Sequence, residues 1–171
     1  MSEKLGRGNY AMWCAQVESA IRGAQLGCFI KATATPPPEF LEPDDKKKVD
    51  GKAIDPIPNP EYDEWVAKDQ MVLSYLFGSL SKEVFAQVLS ATTAAQLWAA
   101  IEGVNVSQSR ARMISTRMAL ATASKGSSTI AEYYTKMNGL VEELAAAGRK
   151  LEDEEMVSYI LTGLDQEYNP W

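Results

Sequence analysis

Thr129-Ile130-Ala131-Glu132-Tyr133-Tyr134-Thr135-Lys136-Met137-Asn138-Gly139-Leu140-Val141-Glu142-Glu143-Leu144 is the stretch that decides the fold class of this chain. Thr129 and Glu132 have the spacing of a capping box, in which two side chains satisfy amides that a helix start leaves open. Ile130, Tyr133, Tyr134, Met137, Leu140, Val141 and Leu144 then recur at intervals of three and four, which places one apolar stripe along a helix closed by Gly148.

The same grammar repeats in both directions. Upstream, Asn9 stands as an N-cap before Tyr10, Trp13, Cys14, Val17 and Ile21, with Gly23 and Gly27 bracketing the helix end. After Pro60, Tyr62, Trp65, Val66, Val72, Leu73, Leu76 and Leu80 form one long stripe. Ser81 opens a short helix carrying Val84, Phe85, Val88 and Leu89. Thr93 with Gln96 opens a helix with Leu97, Trp98 and Ile101, and a separate helix is expected over Ser107–Thr122 with Met113, Ile114, Arg117, Met118 and Ala121. Downstream, Asp153 caps a helix with Met156, Val157, Ile160 and Leu161 that Gly163 closes. The expectation is an all-α protein of about seven helices, without a solenoid repeat. The Lys125-Gly126-Ser127-Ser128 break divides it into 1–124 and 125–171.

One segment departs from this pattern. Seven of the eight prolines fall within residues 36–60, together with Asp44, Asp45, Lys46, Lys47, Lys48 and Asp50. Proline removes backbone donors and the charged run resists burial, so 36–60 is expected as a long exposed loop. Acids flank the lysines, which argues for a solvated loop over a basic address.

Composition narrows the function. The 171 residues are 46% apolar and 23% charged, enough apolar content to build a core, and the net charge of −6 opposes a domain-wide nucleic-acid clamp. There is no histidine, which removes Ser-His-Asp and Cys-His catalysis and every imidazole metal site. Cys14 and Cys28 are too few for a disulfide scaffold or a zinc knuckle and read as inert thiols in a reducing compartment. Met1-Ser2-Glu3-Lys4 opens no signal peptide, no apolar run has spanning length, and the sequon Asn105-Val106-Ser107 carries no weight without a secretory signal. A cytoplasmic or nuclear protein that touches no membrane is expected.

Few constellations suggest chemistry. Glu142-Glu143 and Glu152-Asp153-Glu154-Glu155 fall on solvent faces or in a first helical turn, where acids meet the helix dipole. Gly6-Arg7-Gly8 lacks the strand, helix and lysine of a phosphate loop. Trp13, Trp65 and Trp98, with Tyr10, take interior phases and read as a core signature, not as stacking platforms for bases. Met113 and Met118 read as gap-fillers or a soft contact surface. The strongest polar feature is Arg110, Arg112, Arg117 and Lys125: no acid occurs between Glu102 and Glu132, so this stretch carries +4 inside an acidic chain. It suits phosphates or the acidic surface of another copy, against the plainer reading that it balances neighbouring acids. No catalytic residue, metal ligand or cofactor is expected.

Six blocks in order carry a resemblance: Gly8-Asn9-Tyr10-Ala11-Met12-Trp13; Ala91-Thr92-Thr93-Ala94-Ala95-Gln96-Leu97-Trp98; Ser107-Gln108-Ser109-Arg110-Ala111-Arg112; Lys125-Gly126-Ser127 with Ala131-Glu132-Tyr133; Leu144-Ala145-Ala146-Ala147-Gly148; and Tyr159-Ile160-Leu161-Thr162-Gly163-Leu164. Together they resemble the Gag polyprotein of copia-type LTR retrotransposons, particularly those of plants. The resemblance implies a non-enzymatic, all-helical capsid region with an N-terminal and a C-terminal lobe, self-associating into a particle around the element's RNA. Residues 126–134 also resemble the major homology region that opens the second lobe of retroviral capsids. The family continues past the segment matching Gly163–Tyr168 with further helices and an RNA-gripping Cys/His zinc knuckle, and those are absent here. The expectation is therefore an incomplete C-terminal lobe, in either a trimmed piece or a truncated, co-opted copy, with Tyr159 and Ile160 exposed for self-association. The expected partner is the protein itself, with other Gag copies or a host protein as the alternative for a domesticated binding module. RNA is expected to bind only weakly through the arginines.

Overall fold

The computed structural model describes residues 3–41, 56–147 and 149–164. Among these residues it contains six helices: α1 (Tyr10–Gly23), α2 (Pro60–Gly78), α3 (Lys82–Gln87), α4 (Ala94–Thr122), α5 (Ile130–Ala146) and α6 (Asp153–Thr162). The all-α expectation is met and the count is corrected. The two helices expected on either side of residues 102–106 are one, α4. Gly103 tolerates this because it keeps a negative φ; among the described residues only Gly8, Gly126 and Gln25 take positive values. A mid-helix glycine weakens a helix by about 1 kcal/mol without breaking it.

The chain forms two compact units, Met1–Asn105 and Val106–Trp171. The division falls within α4, upstream of the Lys125 turn from which the sequence boundary was drawn. That turn belongs to the second unit, where the Lys125 amide donates to the Gly163 carbonyl at 2.8 Å.

The first unit is built around Trp13. Trp13, Val17 and Ile21, one helical turn apart, form the buried stripe of α1. The Trp13 ring stacks on Trp98 with centroids 5.8 Å apart, and its indole N–H donates to the Ser79 carbonyl and hydroxyl, each at 3.2 Å. Val72, Leu73 and Leu76 of α2, Val84 of α3, and Leu97 and Ile101 of α4 complete this core. Each buried side chain of this size contributes about 1.5–3 kcal/mol. Asn9 occupies the N-cap position of α1 but does not cap it. Its side chain accepts from the Gly6 amide and donates to the Lys4 carbonyl, tying down the preceding turn. Beyond α1 the left-handed residue is Gln25 at φ 62°, in place of the expected glycine.

Asp69 is a feature the apolar stripe of α2 conceals. It is 1% exposed, and one carboxylate oxygen accepts the Ala94 amide at 3.0 Å, so α2 satisfies an open N–H at the start of α4. Thr93 accepts from the Gln96 amide as expected, but Gln96 returns its bond to Thr92 instead of Thr93.

The proline-rich stretch is not wholly irregular. Phe40–Leu41 (β1) and Ile57–Pro58 (β2) pair antiparallel, both outward. Asn59 joins the loop ends: its amide donates to the Glu39 carbonyl, its side chain donates to the Pro38 carbonyl, and its oxygen accepts from Glu61 to cap α2. The acids and lysines of 44–50 lie outside the described residues.

The second unit packs Leu120, Ala123, Tyr133, Met137, Leu144 and Leu151. The capping box at Thr129 and Glu132 forms as expected, and its hydrogen bonds hold the Glu132 carboxyl below the usual range. Gly148 lies outside the described residues; α5 ends at Ala146 with Ala147 as its C-cap. Asp153 is the first residue of α6, and Glu152 holds the cap position without a side-chain bond. Gly163 is required by close approach. A Cβ there would overlap the Tyr133 hydroxyl and the Ala123 carbonyl.

Candidate functional site

The residues that expose chemistry converge on the outer faces of the second unit. Along α4, Val106, Arg110, Ile114 and Met118 recur at every fourth position, which lines them on one helix face. All four are exposed, Ile114 at 54% and Met118 at 66%. The inward face carries Met113, Thr116 and Leu120, and the Thr116 hydroxyl donates to the Glu143 carboxylate of α5 at 3.2 Å.

The basic set divides. Arg110 and Arg112 are exposed and, among the described residues, have no carboxylate in salt-bridge range. Arg112 lines a groove of about 290 Å³ with Ser109, Glu143, Ala146 and Ala147. Arg117 meets Glu155 of α6 at 3.8 Å, an exposed pair that contributes little. Lys125 is half-buried in the turn, its ammonium donating to the Gly126 carbonyl at 3.3 Å, apart from the arginine face.

The expected exposure of Tyr159 and Ile160 is corrected. Both are half-buried against the second core. The Tyr133 hydroxyl, reaching over Gly163, donates to the Ile160 carbonyl at 3.2 Å and more weakly to that of Tyr159. Burial raises the Tyr133 pKa above the ordinary phenol value. With Met156, Tyr159 and Ile160 packed inward, Val157, 53% exposed, and Leu161 face outward, following Asp153 one turn earlier. The sequence reading missed Val157 as a surface residue. Its i, i+4 relation to Asp153 and Leu161 carried the signal, but the phase of the helix did not.

The core signature divides in a similar way. Trp13 and Trp98 are buried, while Tyr10 and Trp65 are half-buried against the same core, Trp65 tilted on Phe29 at 5.4 Å. Cys14 packs at the edge of this core and burial raises its thiol pKa; Cys28 is exposed. A shallow apolar groove of about 180 Å³ lies between α1 and α2, lined by Ile21, Leu26, Met71 and Tyr75 among others. Among the described residues no three His, Cys, Asp or Glu side chains stand close enough to hold a metal, and no helix is long and apolar enough to cross a membrane. The arrangement offers apolar stripes edged by charge, which is the chemistry of docking.

Residues 28–171 match the family described as gag-polypeptide of LTR copia-type. Two relatives from Arabidopsis thaliana are the retrovirus-related Pol polyproteins from transposons RE1 and RE2. The first is 32% identical over 170 residues and the second 28% over 167, each alignment covering 98% of this chain. The chain spans only 11% and 10% of their lengths. No solved structure matches at a significant level.

Proposed function

From the premise that this chain belongs to the gag polypeptides of LTR copia-type elements, we propose that it is a structural, self-associating Gag unit contributing to particle assembly around the element's RNA. It acts by docking and not by catalysis. In this reading the two compact units correspond to an N-terminal and a C-terminal capsid-like lobe. The observation that carries the reading is the pair of outward apolar stripes on α4 and α6, edged by arginines on one helix and acids on the other. Faces of that kind serve association, and weak contacts repeated many times produce a stable assembly. Arg110, Arg112 and Arg117 are the residues proposed to meet RNA phosphates, as a weak, salt-sensitive contact.

Negative-stain electron microscopy of the concentrated protein, with and without single-stranded RNA, tests the proposal. Shells, tubes or regular oligomers are expected. Dispersed single molecules under every condition would overturn it.

A further inference from the structure

The two outward stripes match each other in spacing and in sign. On α4, Arg110, Ile114 and Met118 are four residues apart; on α6, Asp153, Val157 and Leu161 are four residues apart. Each stripe therefore places a charge, an apolar side chain and a second apolar side chain at steps of roughly 6 Å along its axis. Laid parallel, the helices bring Arg110 to Asp153, Ile114 to Val157 and Met118 to Leu161. Laid antiparallel, they set Arg110 against Leu161 and Asp153 against Met118, burying each charge on an apolar group.

Neither stripe suits a copy of itself. Two α4 faces would bring Arg110 against the same arginine, with no acid between Glu102 and Glu132 on that helix to relieve it. Two α6 faces would oppose Asp153, flanked by Glu154, in the same way. Like charges brought together across an interface act against association, whereas opposite charges steer it and fix its register. Unlike faces complement; like faces repel.

We propose that the α4 face of one copy docks, in parallel, on the α6 face of a second copy, with Ile114 and Val157 at the centre of the contact. This rests on the self-association proposed above and specifies its surface. Because the two faces differ, a copy docked through its α4 face still offers its α6 face to a third copy, and head-to-tail contacts of this kind build a ring or an open chain. Two helix faces bury less area than a stable independent interface needs, so each contact is weak and is felt through repetition.

The test uses Ile114→Glu, which spoils only the α4 face, and Val157→Glu, which spoils only the α6 face. Both sites are more than half exposed, so folding is expected to persist, and circular dichroism checks it. Sedimentation velocity of the full chain is measured at about 100 µM and above, where weak contacts fill. The wild-type chain forms a series of oligomers, and each variant alone loses it, its association weakened at least about tenfold. An equimolar mixture of the two variants joins one intact α4 face to one intact α6 face and stops at a dimer. Oligomers that persist in either variant alone, or a mixture that stays monomeric, would overturn this interface while leaving self-association standing. A wild-type chain that is monomeric throughout would overturn the proposed function itself. Val157→Ala, which adds no charge, is expected to weaken association less than Val157→Glu; an equal effect would point to a damaged fold and count against the docking surface.

Discussion

Substituting Gly163→Ala should loosen the second unit by an amount that the contacts around it define. The added methyl would enter space held by the Tyr133 hydroxyl and the Ala123 carbonyl. Overpacking by one such group costs about 1–3 kcal/mol when backbone must shift. Displacing the Tyr133 hydroxyl from the Ile160 carbonyl removes a hydrogen bond whose net contribution is about 0.5–1.5 kcal/mol. Alanine offsets about 0.4–1 kcal/mol of this by restricting the unfolded chain, since φ at Gly163 is −90° and open to any residue. The balance is a loss of about 2 kcal/mol. Hydrogen exchange at the Lys125 amide reads it directly, because that N–H donates to the Gly163 carbonyl. Its protection should fall about 30-fold. The same substitution made in a Tyr133→Phe background should cost less, since one of the overlapping atoms is gone. Unchanged protection, or an equal cost in both backgrounds, would refute the close-approach reasoning.

Three further outcomes follow from other parts of the molecule. Asp69→Ala leaves the Ala94 amide without its buried acceptor and should lower stability by about 1–3 kcal/mol, read from tryptophan fluorescence during urea unfolding; a neutral result would remove Asp69 from the account. Burial, followed by the influence of Cys14, pushes the Tyr10 phenol up to about 12. Folding thus favours its neutral form, and this contribution is intact below pH 10 and lost as pH rises from about 10 to 12; ultraviolet titration should show a late phenol component, to which Tyr133 also contributes, that Tyr10→Phe reduces. If Arg110, Arg112 and Arg117 meet phosphates, affinity for single-stranded RNA should fall with salt at a log–log slope of about −2, and replacing all three with alanine should abolish that slope; salt-insensitive binding would contradict the assignment.

Local signals made much of this fold legible. The Thr129–Glu132 capping box, Pro60 at the start of α2 and Ser81 before α3 concern a few adjacent residues, and the structure places them as read. Less legible were the features fixed by distant partners. Asp69 sits inside an apolar stripe, and its meaning depends on Ala94, far along the chain. Gly163 looks like an ordinary helix stop until Tyr133 and Ala123 close around it. Asn9 has the identity of a cap, yet Lys4 and Gly6 take its hydrogen bonds. The surface followed the same rule. The arginines of α4 stand out as an acid-free run, whereas the phase of α6 depends on which of its apolar residues pack against the core of other helices. Tyr159 and Ile160 therefore turn inward, and Val157 and Leu161 turn out.

The weight-average mass of the 171-residue chain as a function of concentration, measured by sedimentation equilibrium at physiological salt, tests the central claim most directly. A mass that climbs steadily past that of a dimer as concentration rises is expected. A mass that stays at 18.8 kDa across the whole range would contradict it.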